Sequence, residues 1–134
     1  MTHEEYVAQQ RGVAASVALS VLNGELSALE GARTISRLDG LDLDRSEDPD
    51  LSVIVLVDEE TEALPIGEQR ALWAAEAIAA KAPELEHAEQ WAREVALEGF
   101  ARLANRFAAN MPLQPTRAAQ ANEQREPSGS GPRG

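Results

Sequence analysis

Apolar residues recur at three- and four-residue spacing along most of this chain, which is typical of helices that bury one face. The first such segment covers residues 2–23, because Thr2 suits the N-cap position and Gly24 the position after the helix end. Gly12 interrupts this segment, and glycine in a helix interior costs up to about 1 kcal/mol relative to alanine. We therefore expect a bend or a close helix contact at Gly12.

A second helical segment, from Glu25 to Leu38, follows the first one closely. A connection this short predicts that the two helices fold back as an antiparallel hairpin. Gly31 lies beside the apolar face of the second helix, where the missing side chain lets a neighbouring helix approach closely. Asp39 and Gly40 then end the helix, and the loop to Ser46 is polar and charged.

The most apolar stretch of the chain, Leu51 to Val57, lies between two acidic clusters. Its valines and isoleucine favour a strand, and periodicity cannot decide so short a run. Asp48 as N-cap and Pro49 at the first helical position favour a helix, whereas the acids from Asp58 to Glu60 would be unfavourable at its C-terminal end. Because the sequence shows no second β-rich run, we predict a buried helix. The alternative is a strand that pairs with its twin across a dimer.

The C-terminal half predicts two further helices. Pro65 and Gly67 break the chain, and residues 68–82 then show an alanine-rich helical pattern. Pro83 predicts a boundary, because the residue before a proline is disfavoured in the α region. A long last helix is expected from Pro83 to Asn110, with apolar residues at a period close to 3.6.

After Met111 the composition changes to Pro, Gln, Ser, Gly and Arg, so residues 112–134 are predicted to form a disordered tail. The predicted fold is therefore a single-domain all-α bundle of about five helices over residues 1–111, with an N-terminal hairpin and a long C-terminal helix. The chain contains no cysteine, which fits a reducing compartment. We see no signal-peptide pattern and no apolar run of the ~20 residues that cross a bilayer, so we expect a cytoplasmic protein without membrane contact.

Acidic residues dominate the charge of the chain. Twelve bases against 23 acids give a net charge of −11, which argues against a nucleic-acid partner. Eleven of the bases are arginine, and abundant alanine beside them suggests a GC-rich bacterial genome. Ten acids and one base lie between Asp39 and Glu62. We predict that this acidic rim binds a basic protein, through Asp42, Asp44, Asp50, Asp58, Glu59, Glu60 and Glu62.

Signals for catalysis or metal binding are weak, and no cofactor is predicted. Glu84 and His87 have the Glu-x-x-His spacing of di-iron bundles, but such bundles need two of these motifs. The segment from Asp42 to Glu47 begins like a calcium loop, yet it lacks glycine at the sixth position and glutamate at the twelfth. A nucleophile elbow and a phosphate-binding glycine loop are also missing from the sequence.

Three short motifs resemble the recurring positions of a family of small, acidic, helical bacterial proteins of unknown function, over roughly residues 13–107. They are Leu22-x-Gly24-x-Leu26, Glu30-Gly31-x-Arg33 and Leu64-Pro65-x-Gly67-x-x-Arg70-x-x-Trp73. The resemblance implies that Arg33, Arg70 and Trp73 belong to one structural framework, in which Arg33 or Arg70 pairs with Glu30 or Asp58. Trp91 is predicted to join that framework as a core residue, because it lies on the apolar stripe of the last helix.

Proteins of this kind resemble immunity-type and other accessory proteins in size and acidity. We therefore expect a non-catalytic protein-binding module that presents its acidic rim to a basic partner. Two alternatives stay open. One is a metal-binding enzyme that uses Glu84 and His87, and the other is a structural homodimer built on residues 51–57.

Overall fold

The computed structural model describes residues 1–112, so the predicted tail beyond Pro112 lies outside the described residues. This part of the chain contains four α-helices and no strand, which confirms the all-α prediction. A 3-10 helix, Gly67–Leu72, completes the five predicted helices, and a short 3-10 turn, Ala108–Asn110, ends the domain. The α-helices are α1 (His3–Leu22), α2 (Ala28–Ser36), α3 (Pro49–Glu60) and α4 (Ala75–Arg106).

The first two helices form the predicted hairpin. Thr2 and Glu5 cap α1 reciprocally, and the Ser27 hydroxyl accepts the amide of Glu30 at the start of α2. After α2 the chain returns to the first half of α1, where Arg11 Nε donates to the carbonyl of Leu41 at 2.9 Å. The two helices therefore run in opposite directions.

Glycine allows two of the close approaches that the sequence predicts. A Cβ atom on Gly31 would lie 2.4 Å from a methyl group of Val21, so the missing side chain lets α2 pack directly on α1. A Cβ atom on Gly12 would lie 2.1 Å from the carbonyl oxygen of Asn110. The C-terminal 3-10 turn thus packs on the backbone of α1, which is the close contact expected at Gly12.

Residues 51–57 lie within α3, as the helix prediction requires. The carboxylate of Asp48 accepts the amides of Asp50 and Leu51, and Pro49 occupies the first turn. Within this helix the side chains at the core are Leu51, Ile54, Val55 and Val57, each at most 6% exposed. These apolar groups are buried inside the chain itself, and because the segment is helical it forms no strand that could pair with its twin across a dimer. Leu56 of the same segment is 43% exposed, so a homodimer through this helix stays an open alternative.

The predicted helix boundary at Pro83 is wrong, because α4, which is 32 residues long, continues through this proline. A proline removes one backbone donor, and the carbonyl four residues earlier loses its partner. That carbonyl belongs to Ala79, which is exposed, so water can satisfy it without ending the helix. The predicted helix over residues 68–82 is instead the 3-10 helix followed by the first part of α4.

Helix α4 packs against α3 in the opposite direction. Arg106 contacts Asp48 at the start of α3, and a Cβ atom on Gly99 would lie 2.9 Å from Val53. The first fully enclosed residue of α4 is Ala92, and the buried face continues through Phe100 and Leu103. The half of α4 that precedes Ala92 therefore lies at the edge of the core, beside the loop that follows α3.

Candidate functional site

The acidic rim predicted from the sequence is divided by α3. Acids between residues 39 and 50 lie before or at the start of this helix, and those from 58 to 62 lie at its end. A helix of 12 residues separates these ends by about 18 Å. The two acidic groups are therefore distinct surfaces rather than one rim.

The acids before α3 are largely engaged in holding the loop. The carboxylate of Asp44 accepts hydrogen bonds from Ser46 and from the amide of Glu47, and the Ser46 contacts lower the pKa of Asp44. Asp42 is exposed, with a positive φ of 56°, and its carbonyl accepts a hydrogen bond from Arg11. Tyr6 donates its hydroxyl hydrogen to Asp39, which raises the tyrosine pKa.

Asp50 is buried, so it is not one of the exposed acids that could contact a partner. Its Oδ2 accepts from Arg106 Nη1 at 2.8 Å, and the same guanidinium makes two 2.9 Å hydrogen bonds to Asp48. These contacts lower the pKa of Asp48 and raise that of Arg106. Within residues 1–112 the other oxygen of Asp50 has no hydrogen-bond partner, and Arg102 Nη1 lies 3.9 Å from it. The cluster fastens the start of α3 to the end of α4.

Asp58 also has a structural role. Arg33 is 6% exposed and donates from Nε to Asp58 Oδ1 at 3.1 Å. The guanidinium also donates to the carbonyl of Thr61 at 2.7 Å and to Gln69 Oε1 at 2.6 Å. Arg33 therefore ties α2 to the end of α3 and to the segment beyond it, and Arg33 with Asp58 is one of the pairings that the resemblance implied.

The remaining predicted framework residues lie in different places. Trp91 is half-buried and packs against the core. Arg70 is exposed on the 3-10 helix, and Trp73 is half-buried directly after it. The structure therefore brings Arg33 and Trp91 to the core but leaves Arg70 and Trp73 outside it.

Besides Asp42 in the loop before α3, three acids of the predicted rim have exposed side chains that are unpaired within residues 1–112: Glu59, Glu60 and Glu62. They lie at or just beyond the C-terminal end of α3, whose last turn contains no basic residue. A helix C-terminus carries partial negative charge, so each acid in the last turn is unfavourable there by about 0.3–1 kcal/mol. This group is the acidic surface that stays available to a partner, and we call it the α3 acidic end.

A recess of about 290 Å³ adjoins the α3 acidic end, between the loop after α3 and the first half of α4. Its walls combine apolar groups with acids at the opening. The lining residues are Glu60, Thr61, Ala63, Leu64, Glu84, His87, Ala88 and Trp91. Acidic and aromatic side chains that are distant from each other in the sequence thus lie together at this recess.

Glu84 and His87 line this recess but form no recognisable metal centre. Glu84 pairs with Lys81 at 3.0 Å, and both Glu84 and His87 are exposed. In the described part of the chain, no group of three or more histidine or acidic side chains is placed to hold a metal ion. The acids of the calcium-like loop are included in that finding.

Some connecting residues could not be identified from the sequence. Glu89 of α4 accepts the amides of Ala28 and Leu29 at 2.7 and 3.1 Å, and thereby caps α2 from another helix. Arg106 reaches acids more than 50 positions away in the sequence. Neither residue stands in a local pattern that would reveal its partner.

No family model, curated protein or solved structure matches the chain. The resemblance to a family of small bacterial proteins therefore stays a prediction. Among the helices within residues 1–112, none combines the length and the apolar composition that crossing a membrane requires.

Proposed function

We propose that this protein is a non-catalytic protein-binding module that recognises a basic protein partner through the α3 acidic end. The observation that carries the proposal is the position of Glu59, Glu60 and Glu62, which are exposed and unpaired in the described domain. Immunity of the cell to a toxin is one concrete form of such a function, with the toxin as the basic partner.

The placement of these acids favours recognition over stability. At the end of α3 they oppose the helix dipole, the last turn contains no base, and Arg33 of α2, which reaches this end, is already paired with Asp58. Exposed charge of one sign attracts an oppositely charged partner and raises its association rate, an effect that salt weakens. Acids that destabilise the helix they belong to are explained if their charge attracts another molecule.

The other predicted acids contribute less to this proposal. Asp50 and Asp58 are bound to arginines of the same chain, and Asp44 is bound within its own turn. Asp42 lies beyond the other end of α3. The partner surface is therefore narrower than the full rim.

Charge reversal tests the proposal. Glu59→Lys, Glu60→Lys and Glu62→Lys are combined in one variant, and Glu4→Lys, Glu25→Lys and Glu76→Lys in a control with the same change in net charge. Affinity capture from native lysate is expected to recover the same basic protein with the wild type and the control but not with the first variant. Added salt is expected to release that protein. Equal recovery by all three forms would refute the proposal.

A further inference from the structure

The recess beside the α3 acidic end has the composition of a pocket for one positively charged side chain. Trp91 is partly buried against the core and also lines the recess. Ala63, Leu64 and Ala88 complete the apolar lining. An aliphatic stem can be buried against such walls while its charged head stays near water.

The charged groups at the opening are acids. Glu60 and Glu84 both line the recess; of its eight lining residues none is a lysine or an arginine, and the one basic residue is His87. Glu84 has Lys81 as a partner, but both side chains are more than a third exposed, so that pair is weak. The recess therefore presents negative charge around an aromatic residue.

A larger groove on the other side of α4 suits a cation less well. It encloses about 420 Å³ between the 3-10 helix and α4, and Arg70 is among its lining residues. Glu89, which also lines it, is already engaged by Arg93 and by the start of α2. Glu30 and Glu86 line this groove too, so both cavities are acidic. The smaller recess is favoured because no lysine or arginine lines it and because it adjoins the α3 acidic end.

We propose that the recess receives an arginine side chain of the partner protein, with its guanidinium near Trp91 and the carboxylates of Glu60 and Glu84. Arginine fits better than lysine, because its planar head stacks on aromatic rings and pairs with carboxylates through two parallel hydrogen bonds. This inference rests on the proposed function, and it names the group that would anchor the partner beside the α3 acidic end.

A peptide titration of the full chain tests the inference. The probe is acetyl-Arg-Ala-Arg-Ala-Arg-amide, and its citrulline analogue, which keeps the shape but removes the charge, is the control. The chain has two tryptophans, so the indole N–H resonances of Trp91 and Trp73 are followed in ¹⁵N-labelled protein. Trp91→Phe and Trp73→Phe assign the two signals.

The arginine peptide is expected to shift the Trp91 indole resonance saturably, while Trp73 and the citrulline titration stay unchanged. Glu60→Gln and Glu84→Gln should each weaken the apparent affinity about two- to fivefold, as expected for an exposed ion pair. Glu25→Gln, at an exposed acid in the turn between α1 and α2, should leave the affinity unchanged. The amide spectra report whether each variant is folded.

Two other outcomes separate the inference from the proposed function. Saturable shifts at the amides of Glu59, Glu60 and Glu62 without a shift of the Trp91 indole would overturn the arginine pocket and leave the acidic surface standing. Absence of saturable shifts from both places would count against both. Equal shifts with the citrulline peptide would overturn the role of charge in the recess.

Discussion

Arg33 gives the sharpest test of how the segment after α3 is held in place. Its guanidinium donates to Asp58, to Gln69 and to the backbone carbonyls of Thr61 and Leu64. In Arg33→Ala all four acceptors lose this donor at once. The free energy of unfolding is therefore expected to fall, although the substitution also removes a charge that is costly to bury.

The size of the effect follows from what remains buried. Asp58 keeps 16% of its side chain exposed, so it recovers only part of its hydration after the partner is removed. Removing one member of a buried ion pair typically costs about 3–5 kcal/mol. The free energy of unfolding of small domains is about 5–15 kcal/mol. The Arg33→Ala variant should therefore remain folded, but with a small free energy of unfolding.

Urea denaturation followed by tryptophan fluorescence measures this loss, and urea leaves ion pairs unscreened. Arg33→Lys should lose less than Arg33→Ala, because it keeps the charge but not the fork of donors. Arg33→Ala combined with Asp58→Ala should cost less than the sum of the two single changes, by about 0.5–3 kcal/mol. A loss below about 1 kcal/mol for Arg33→Ala would refute the network as a structural tie.

Three further expectations concern other contacts. Gly12→Ala should lower the melting temperature, because a Cβ atom 2.1 Å from a backbone oxygen of the C-terminal turn costs about 1–3 kcal/mol against a propensity gain of about 1 kcal/mol; a higher melting temperature would contradict this. Glu89→Ala should cost about 0.5–2 kcal/mol in urea unfolding, because the amides of Ala28 and Leu29 lose their acceptor while the Ser27 cap remains, whereas Glu94→Ala, exposed on the same helix, should be nearly neutral. The pKa of Asp48 is lowered by Arg106, so its stabilising contribution is present above about pH 4 and is lost as pH falls through the folded-state pKa; Asp48→Asn should flatten the acid side of the stability curve, and an unchanged curve would argue against it.

Structural features that depend on residues close together in the sequence could be predicted. The helix at residues 51–57 was correctly identified because Asp48 and Pro49 carry a local start signal that outweighs the β preference of valine and isoleucine. The boundary predicted at Pro83 is wrong because the effect of a proline depends on its surroundings in the fold: Ala79, whose carbonyl loses its partner, is exposed, which only the folded chain shows. The division of the acidic rim follows from the helix itself, since any helix across residues 51–57 must separate its flanks.

The candidate site was less accessible to sequence reasoning. Acids can be counted, but whether each is free depends on arginines that are distant in the chain. Asp50 could not be assigned to Arg106, nor Asp58 to Arg33, from spacing alone. The recess needs Leu64 and Trp91 from two different elements, so it exists only after α4 has packed beside the loop.

The uneven burial of α4 implies two levels of protection from hydrogen exchange within one continuous helix. Before Ala92 its residues are at best half-buried, and Pro83 removes one backbone hydrogen bond from that half. An amide proton exchanges when its hydrogen bond opens, and the free energy of that opening reflects local burial. The amides from Ala75 to Gln90 should therefore exchange with deuterium well before those from Ala92 to Arg106. The wall of the recess would then unfold and reform many times while the core stays closed, and a bound arginine would be detected as slower exchange in that first half alone.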